Sequence, residues 1–502
     1  RVNLIYSGGG HAYILLPNTE KVRKIVEDFE REVNEWFLEM FETQIYIAGG
    51  GAVCSASDFW NEPEGSYREI FRNISKEISF KKLHRYSPKQ IIKLNHSGMP
   101  YGERECSVCH RHNYLKDGET ECEICWALKQ MSGNILKGDF FTVTSKKEKT
   151  CLPLSGNCYL VTDTESTLRK RMKEDKYYIR SYSKNKPYSG YYVSTKLWVG
   201  DYVNGETFEE LGQRATGIER IAVMRADVDN LGQAFVRGFE NEKNGSKYVT
   251  LSRTATFSRK LSMFFKYHIN SLLKEGGYSI LEEEAQMEKE DDRRNALIVY
   301  SGGDDIFIVG AWDDIIGFAV DLHDNLMEYS QDTLKISAGI GIYPSKYPIS
   351  IMARETGRLE EAAKSVEGKN AVALFDEKYT FPWEEFIENV VEEKLYFIQK
   401  YFKVVDEKGK NFLYNLLELV RKRKEDKINI ARFAYLLGRM EPKVQRGAKK
   451  EEIEEKRDLH REFSRKMYEW IRVEKDAKEL EMAIYLYVYT KREKEEHDGV
   501  NE

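Results

Sequence analysis

One short pattern occurs twice in this chain of 502 residues, and it constrains the fold more than any other feature. Tyr6 begins the sequence Tyr-Ser-Gly-Gly-Gly-His, and Tyr300 begins Tyr-Ser-Gly-Gly-Asp-Asp. Each copy lies between two apolar runs, and such a Gly-Gly turn predicts a β-hairpin. A stretch with helical periodicity and a further apolar run, 45–48 in one copy and 334–340 in the other, follow each hairpin. The pattern therefore predicts two homologous palm-type domains of order β-turn-β-α-β, with chance similarity of two apolar hairpins as the alternative.

Changes in pattern divide the chain, which is too long for a single core, into four predicted domains. Residues 1–98 form the first palm domain, which is degenerate and incomplete at its N-terminal side. Residues 99–215 hold a zinc-binding linker with short β-like runs, and residues 216–380 hold the second palm domain. Residues 381–502 have apolar positions at helical spacing. The predicted fold class is α+β, with two ferredoxin-like palm domains, a zinc-ribbon-like module between them and a C-terminal all-α domain.

Composition excludes some classes of protein. An uninterrupted run of about 18 apolar residues, the length needed to span a bilayer, does not occur, and no signal peptide is visible. The chain begins at Arg1, and we expect an upstream portion to be missing. The net charge of -5 does not mark the whole chain as a nucleic-acid binder, and its local basic clusters are either solvated helix faces or phosphate contacts. The cysteine usage predicts a reducing, cytoplasmic location.

Four of the seven cysteines have the spacing of metal ligands. Cys106 and Cys109 form one C-x-x-C step, Cys122 and Cys125 form a second, and twelve residues separate the two steps. Two such turns can complete a tetrahedron of thiolates around Zn²⁺ and leave no open coordination position. The spacing predicts a structural zinc site, with an iron–sulfur cluster or redox cysteines as the alternatives.

Three carboxylates are candidates for catalysis and for metal binding. Asp227 ends the apolar run 221–226, and Asp304 and Asp305 follow the Gly-Gly of the second hairpin. In a palm fold these strands are neighbours, so Asp227 and Asp304 would meet at one edge of the sheet, where such carboxylates can hold Mg²⁺ or Mn²⁺. Two such ions can activate a ribose 3′-hydroxyl and stabilise the α-phosphate and the leaving pyrophosphate. The alternative is an ordinary Gly-Gly-Asp turn.

Nucleotide-binding candidates surround these carboxylates in the sequence. Glycines let the backbone approach phosphates without a Cβ clash, and a lysine can reach a triphosphate as a point charge. The candidates are Ser301, Gly302, Gly303, Lys364, Lys369 and, with weaker support, Ser258. For the two lysines the alternative is a solvated position at a helix end.

The order of these features resembles the large subunit of type III CRISPR effector complexes. The intact Ser-Gly-Gly-Asp-Asp at 301–305, the cysteine pairs before it and the helical region after it carry the resemblance. The degenerate Ser-Gly-Gly-Gly at 7–10 and the Leu-Pro at 16–17 are most similar to the Csm type, subtype III-A. The resemblance covers nearly all of the chain.

This resemblance implies that the second palm converts ATP to cyclic oligoadenylates once target RNA pairs with guide RNA. Asp227, Asp304 and Asp305 would be the metal and catalytic carboxylates. A second ATP would bind to the first hairpin through Ser7, Gly8, Gly9 and Gly10. The implied partners are guide RNA, target RNA and other Csm-type subunits, including a small helical subunit and the subunit that binds the guide 5′ end. The family also has an N-terminal HD domain that cuts single-stranded DNA, and we do not expect that site in this chain.

Two other functions remain open at this point. A diguanylate cyclase-like enzyme would have a related turn, but usually as Gly-Gly-Asp-Glu-Phe or Gly-Gly-Glu-Glu-Phe in one domain that dimerises. A catalytically inactive RNA-binding scaffold subunit would use the helical region and the basic clusters. The choice between ATP and GTP as substrate distinguishes the oligoadenylate synthase from the diguanylate cyclase-like enzyme. Oligoadenylate synthesis excludes the inactive scaffold.

Overall fold

The computed structural model divides into two compact units. Arg1–Val199 and Gly232–Met263 form the first unit, and Gly200–Leu231 and Phe264–Glu502 form the second. The structure describes residues 3–8, 10–96, 104–111, 115, 118–240, 243, 245, 248–282, 293–405, 411–423, 426–442 and 450–492. Among these residues, no helix has the length and apolar character needed to cross a bilayer.

The described residues form fourteen strands and seventeen α-helices. The strands are β1 Leu4–Gly8, β2 His11–Ile14, β3 Phe140–Thr144, β4 Leu152–Leu154, β5 Cys158–Asp163, β6 Tyr178–Lys184, β7 Tyr188–Ser189, β8 Val193–Leu197, β9 Ile221–Val228, β10 Ala296–Ser301, β11 Asp305–Ala311, β12 Ile336–Tyr343, β13 Ala371–Leu374 and β14 Thr380–Pro382. The first eleven helices are α1 Glu20–Phe41, α2 Ala56–Phe59, α3 Ser66–Leu83, α4 Pro88–His96, α5 Glu123–Lys137, α6 Glu165–Glu174, α7 Phe208–Gln213, α8 Leu231–Arg237, α9 Leu251–Met263, α10 Ile269–Glu275 and α11 Trp312–Ser330.

The helices that follow α11 are α12 Ile349–Ser365, α13 Tyr396–Val404, α14 Asn411–Lys422, α15 Ile428–Gly438, α16 Lys450–Arg472 and α17 Glu474–Lys491. Two π-helical segments, Phe264–His268 and Glu385–Leu395, precede α10 and α13 directly.

The first hairpin forms as predicted. Strands β1 and β2 are antiparallel, with Ser7 opposite Ala12, and they form a two-stranded sheet. Helix α1 begins after Thr19, whose hydroxyl accepts a hydrogen bond from the Val22 N–H at 3.3 Å and so caps the helix. Helix α9 packs against β1, and the Ser262 hydroxyl donates to the Ser7 carbonyl at 3.5 Å.

The prediction of a strand at residues 45–48 is wrong, because this segment forms neither a helix nor a strand and belongs to none of the sheets of the described residues. The side chain of Asn34 bonds to both backbone groups of Ile47, donating to its carbonyl at 2.8 Å and accepting from its N–H at 2.9 Å. Glu30 accepts from the Gly49 N–H at 2.9 Å. Side chains of α1 thus satisfy backbone groups that a neighbouring strand would otherwise pair.

A six-stranded sheet fills residues 140–197, where the sequence showed only short β-like runs. Its strand order is β4-β5-β3-β6-β8-β7, and β6 and β8 are parallel. The first four of these strands have the antiparallel order of a ferredoxin-like sheet, with α6 connecting β5 to β6. Helix α6 packs on one face through Leu168 and Met172, which contact the buried Phe140.

The second unit contains the sheet that carries the second hairpin. Its order is β10-β11-β9-β12-β13-β14, so β9 lies between β11 and β12. Strands β9 to β12, with their intervening helices, have the order of a ferredoxin-like palm, and the predicted α+β class is confirmed. Ile221, Val223 and Val309 are fully buried and pack with Met352 of α12.

Helix α12 approaches this sheet closely at a glycine. A Cβ on Gly339 of β12 would lie 2.6 Å from the Thr356 carbonyl oxygen, so glycine is required where helix and strand meet. This close approach brings the next turn of α12, with Glu360 and Lys364, over the end of β9.

The region after β14 is helical, as predicted. Helix α17 packs against the π-helical segment Glu385–Leu395 and against α16. Within this region the fully buried Lys394 donates to Glu479 at 2.7 Å. Trp312 of α11 contacts Tyr489 of α17 edge to face, so the helices and the palm sheet share one compact unit.

Candidate active site at the end of the palm sheet

Two carboxylates face each other across neighbouring strands at one end of the palm sheet. Asp227 of β9 lies directly opposite Asp305, the first residue of β11, and Ser337 of β12 lies opposite Asp227 on its other side. The Val228 N–H donates to the Asp304 carbonyl at 3.1 Å. The predicted adjacency of the Asp-Val-Asp strand and the Gly-Gly-Asp-Asp turn is therefore confirmed.

Burial makes these carboxylates costly to ionise. It raises the pKa of Asp227, and the charges of Glu360 and Asp305 add to the rise while Lys364 opposes it. Burial also raises the pKa of Asp305, and Glu360 again adds to the rise while Tyr300 and Arg225 oppose it. A bound cation would relieve both effects, because it stabilises the ionised form of partly buried carboxylates.

Lys364 pairs with Asp227 in this structure. Its ammonium donates to Asp227 Oδ2 at 2.7 Å and to Glu360 Oε1 at 2.6 Å. Arg225 Nε lies 3.1 Å from Glu360 Oε2 and extends the network. Burial alone would lower the pKa of Lys364, but its bonds to Asp227 and Glu360 raise it above the ordinary value. Lys364 is thus held as a cation beside the candidate metal ligands.

The turn of the hairpin is closed by its own backbone. The Gly302 N–H donates to the Asp305 carbonyl at 2.8 Å. A Cβ on Gly302 would collide with the Asp305 carboxylate and would lie 2.6 Å from the Tyr300 hydroxyl, so a larger residue would displace one of them. The Ser301 hydroxyl donates to the Phe265 carbonyl, which fixes the turn to the π-helical segment Phe264–His268.

Three side chains near the carboxylates were not identified from the sequence. Burial lowers the pKa of Lys266, while the charges of Asp304 and Asp305 oppose that shift. Burial raises the pKa of Tyr300 to about 12, and the same two carboxylates add to the rise. Glu360 binds Lys364 four residues later on α12, a helical spacing that could have identified it. Lys266 lies in an otherwise aromatic stretch that gave no comparable signal.

The remaining candidates near β9 lie at the turn that follows it. Lys369 donates to Asn230 Oδ1 at 2.8 Å. The buried Asp229 accepts from the Ser337 hydroxyl at 2.9 Å and from the Asn370 N–H at 3.0 Å. Asp229 therefore ties the strand end to the residues around Lys369, a structural role for the second acid of the Asp-Val-Asp motif.

The other nucleotide-binding candidates belong to the first unit, which includes residues 232–263 of the predicted second palm domain. Ser7 and Gly8 lie in β1, Gly10 follows in the turn, and Ser258 is buried on α9. Gly9 lies outside the described residues.

The four predicted metal-ligating cysteines come together. Within the part of the chain that the structure describes, they are the one group of three or more potential ligands whose donor atoms all lie within 4.8 Å of one another. All four are free thiols, and Cys122 is the N-cap of α5. Four thiol groups around one centre fit a tetrahedral metal ion.

Backbone donors and a guanidinium surround these sulfurs. The Cys122 N–H donates to Cys106 Sγ at 3.3 Å, and Arg111 Nε donates to Cys109 Sγ at 3.2 Å. Burial alone would raise the pKa of Cys106, but backbone N–H groups lower it to about 6. Arg111 also donates to the Met40 carbonyl at the end of α1, which links the cluster to that helix.

Replacing Lys364 by methionine is expected to destabilise the protein by about 1–3 kcal/mol at pH 7.5, because it leaves the half-buried Asp227 without its cation and leaves Glu360 with Arg225 alone. The loss should shrink as the pH falls to 5. The pKa of Asp227 is raised and would rise further without Lys364, so its carboxylate takes up a proton at a higher pH than an ordinary aspartate and the unpaired charge is lost as the pH falls. Urea denaturation at both pH values measures the difference.

Lys346→Met, at an exposed lysine in the same unit, is the matched control and should change stability little at either pH. An equal loss for Lys364→Met at pH 7.5 and pH 5 would show that the ion pair is not its cause.

Three family models match parts of this chain. The model for the Cas10/Cmr2 second palm domain matches residues 220–373, which contain the candidate active site. The model for the Csm1 subunit domain B matches residues 1–97. The model for the second helical domain of the Cmr2 subunit of the CRISPR RNA silencing complex matches residues 399–493.

Related proteins extend over nearly the whole chain. A CRISPR system single-strand-specific deoxyribonuclease Cas10/Csm1 (subtype III-A) from Mycobacterium tuberculosis is 44% identical, over 99% of this chain and 61% of that protein. Its namesake from Streptococcus thermophilus is 39% identical, over 97% of this chain and 61% of that protein. The chain thus spans 61% of the length of each of these curated relatives.

A solved structure shares the fold. The crystal structure of a Csm1-Csm4 cassette in complex with cA4 is similar with a TM-score of 0.66 and 22% sequence identity. The similarity covers 98% of this chain and 63% of the solved chain.

Proposed function

We propose, from the premise that the chain belongs to the Cas10/Csm1 family of subtype III-A CRISPR systems, that its second palm converts ATP to cyclic oligoadenylates. The observation that carries the proposal is the register of Asp227 opposite Asp305 at the end of the palm sheet. A second line of support is the crystal structure of a related Csm1-Csm4 cassette in complex with cA4.

The chemistry assigns a role to each group at the strand ends. Asp227, Asp304 and Asp305 would hold Mg²⁺ or Mn²⁺, which when bound supplies positive charge for the attacking and leaving oxygens. The 3′-hydroxyl oxygen of one ATP forms a bond to the α-phosphorus of another. The bond from that phosphorus to the bridging oxygen breaks, pyrophosphate leaves with the electron pair, and the hydroxyl proton passes to solvent.

The neighbouring residues would orient the triphosphate. Gly302 and Gly303 present backbone without a Cβ, and Ser301 holds their turn against the π-helical segment. Lys364 would exchange its bond to Asp227 for the triphosphate, and Lys369 would add a second positive charge. This exchange would free Asp227 Oδ2 for the cation as the nucleotide binds.

The first hairpin would bind the other nucleotide. Ser7, Gly8, Gly9 and Gly10 provide hydroxyl and backbone groups, and the carboxylates of the second copy are replaced there by Gly10 and His11. We assign these residues, with the weaker candidate Ser258, to nucleotide binding without metal chemistry.

We assign Zn²⁺ to the four cysteines. Four thiolates complete its coordination, so the ion would have a structural role and no open position for substrate. Metal analysis of the purified chain distinguishes zinc from the iron–sulfur alternative. A zinc site also lacks a visible absorption band.

The assembly of the whole protein is also part of the proposal. We propose that it is the large subunit of a III-A effector complex and associates with Csm4, a small helical subunit, guide RNA and target RNA. Target RNA would activate oligoadenylate synthesis. The curated relatives are named as single-strand-specific deoxyribonucleases, and we assign that activity to an HD domain of the full-length protein rather than to residues of this chain.

The test is incubation of the assembled complex with ATP, Mg²⁺ and target RNA, followed by chromatography and mass spectrometry of the products. Cyclic oligoadenylates are expected with ATP, and their formation should stop when EDTA removes the metal. Production of cyclic dinucleotides from GTP instead would favour a diguanylate cyclase-like enzyme. Absence of any nucleotide product would favour the inactive RNA-binding scaffold.

A further inference from the structure

The sheet of residues 140–197 is strongly basic within an acidic chain. Nine lysines and three arginines stand against five acidic residues there, a net charge of +7, whereas the whole chain has -5. Some of this charge is neutralised, since Arg171 pairs with Glu148 and Asp163 and Lys186 pairs with Asp139. The remaining excess attracts a polyanion.

Exposed aromatic side chains lie at one edge of the same sheet. Tyr191 and Tyr192, just before β8, are 63% and 58% exposed. Tyr192 stacks on Tyr178 of β6, with ring centroids 5.6 Å apart and an angle of 10° between the rings. Tyr177, next to that strand, is 38% exposed. We call Tyr177, Tyr191 and Tyr192 the tyrosine edge.

Cations border the tyrosine edge. Lys176 and Lys146 lie over the ring of Tyr177, at 5.1 and 5.9 Å from its centroid. The turn between β7 and β8 lies against α6, because a Cβ on Gly190 would be 3.3 Å from Met172 Sδ. Exposed Lys173 follows Met172 on that helix. Lys146 and Lys176 thus border Tyr177, and the turn that precedes Tyr191 and Tyr192 lies against the helix that carries Lys173.

We propose that the tyrosine edge binds single-stranded nucleic acid, with bases stacked on the tyrosine rings and phosphates bound by the surrounding cations. Stacking needs exposed base faces, which a duplex does not offer, and every base has such a face. Because one face of Tyr192 is held by Tyr178, the ring is already oriented before a base arrives. The net charge of +7 favours a polyanion over a protein partner of ordinary composition.

The test measures binding of a fluorescent, unstructured 20-nucleotide RNA to this chain by anisotropy, with DNA of the same sequence and the corresponding RNA duplex as comparisons. Tyr191→Ala with Tyr192→Ala should weaken binding of the single strand at least about fivefold, the loss expected for one stacked base. Tyr192→Phe should retain binding, because the ring remains. Lys173→Ala with Lys176→Ala should reduce the slope of log K against log salt by about 1.4.

Tyr435→Ala is the matched control, since Tyr435 is 69% exposed on α15 outside this sheet. Thermal denaturation checks that every variant is folded. The proposal is overturned if the tyrosine variants bind RNA as Tyr435→Ala does, if the duplex binds as tightly as the single strand, or if the chain binds no single strand. If the proposal holds, the affinities for RNA and DNA show which of the two nucleic acids the tyrosine edge prefers.

Discussion

Replacing Asp304 and Asp305 together by asparagine is expected to reduce oligoadenylate synthesis by at least about a thousandfold, while the protein remains folded. Losing a single preorganised electrostatic contact to the transition state typically costs about 10²–10³ in rate, and this variant removes two candidate metal ligands. Product formation by the assembled complex, with ATP and target RNA at saturation, is the measurement.

Stability provides an independent measurement of the same site. Burial raises the pKa of Asp305, so its ionised form is disfavoured in the folded protein. Because the pKa of Asp305 is higher in the folded protein than in the unfolded chain, stability falls as the pH rises from the unfolded-state pKa through the folded-state pKa. Asp305→Asn removes that charge, so Tm at pH 7 in the absence of divalent metal should stay the same or increase. Added Mg²⁺ should raise the Tm of the wild type more than that of the variant.

The matched control is Asp332→Asn together with Asp376→Asn, at two carboxylates of the same unit outside the site. This double variant should leave oligoadenylate synthesis unchanged. Full activity of the Asp304 and Asp305 variant would refute the catalytic assignment, whereas loss of activity together with a lower Tm would indicate misfolding instead.

Replacing Cys122 by serine is expected to abolish metal binding and to destabilise the first unit by at least about 5 kcal/mol. Structural zinc sites in small peptides contribute about 10–16 kcal/mol, and Cys122 is both a candidate ligand and the N-cap of α5. The zinc content measured by metal analysis should fall from one ion per chain to none. Denaturation followed by circular dichroism measures the loss of stability.

Cys158→Ser is the control, because Cys158 is a partly exposed free thiol outside the cluster. It should retain one zinc ion and nearly the full stability. If Cys122→Ser retains a full equivalent of zinc, the four-thiolate assignment is wrong; if the wild type contains iron instead, only the identity of the metal changes.

Much of the fold followed from local pattern. The two hairpins, the acidic strand end and the C-terminal helices were predicted because alternation, turn residues and helical spacing are local signals. The segment 45–48 has the apolar sequence of a strand, but Asn34 and Glu30 of α1 bind its backbone. The six-stranded sheet of residues 140–197 was missed because its strands are short and some of them, such as β3 and β6, pair although two other strands and a helix lie between them in the sequence.

The site was predicted in part for the same reason. Residue types and glycine spacing identified Asp227, Asp304 and Asp305 as chemical candidates. They did not reveal that Lys364 pairs with Asp227, since 137 residues separate the two and only the packing of α12 on the sheet brings them together. Lys266 was missed because its surroundings, rather than its neighbours in sequence, lower its pKa.

The order of residues along the chain was enough to establish the repeated hairpin, the surviving carboxylates of one copy and the paired cysteines. Each depends on spacing within a few residues, where backbone geometry limits the outcome. Tertiary structure decided the register that sets Asp227 opposite Asp305, the ion pair that holds Asp227 and the exposure of the tyrosine edge. These depend on long-range packing and on loss of water, which the free energy of the whole fold determines.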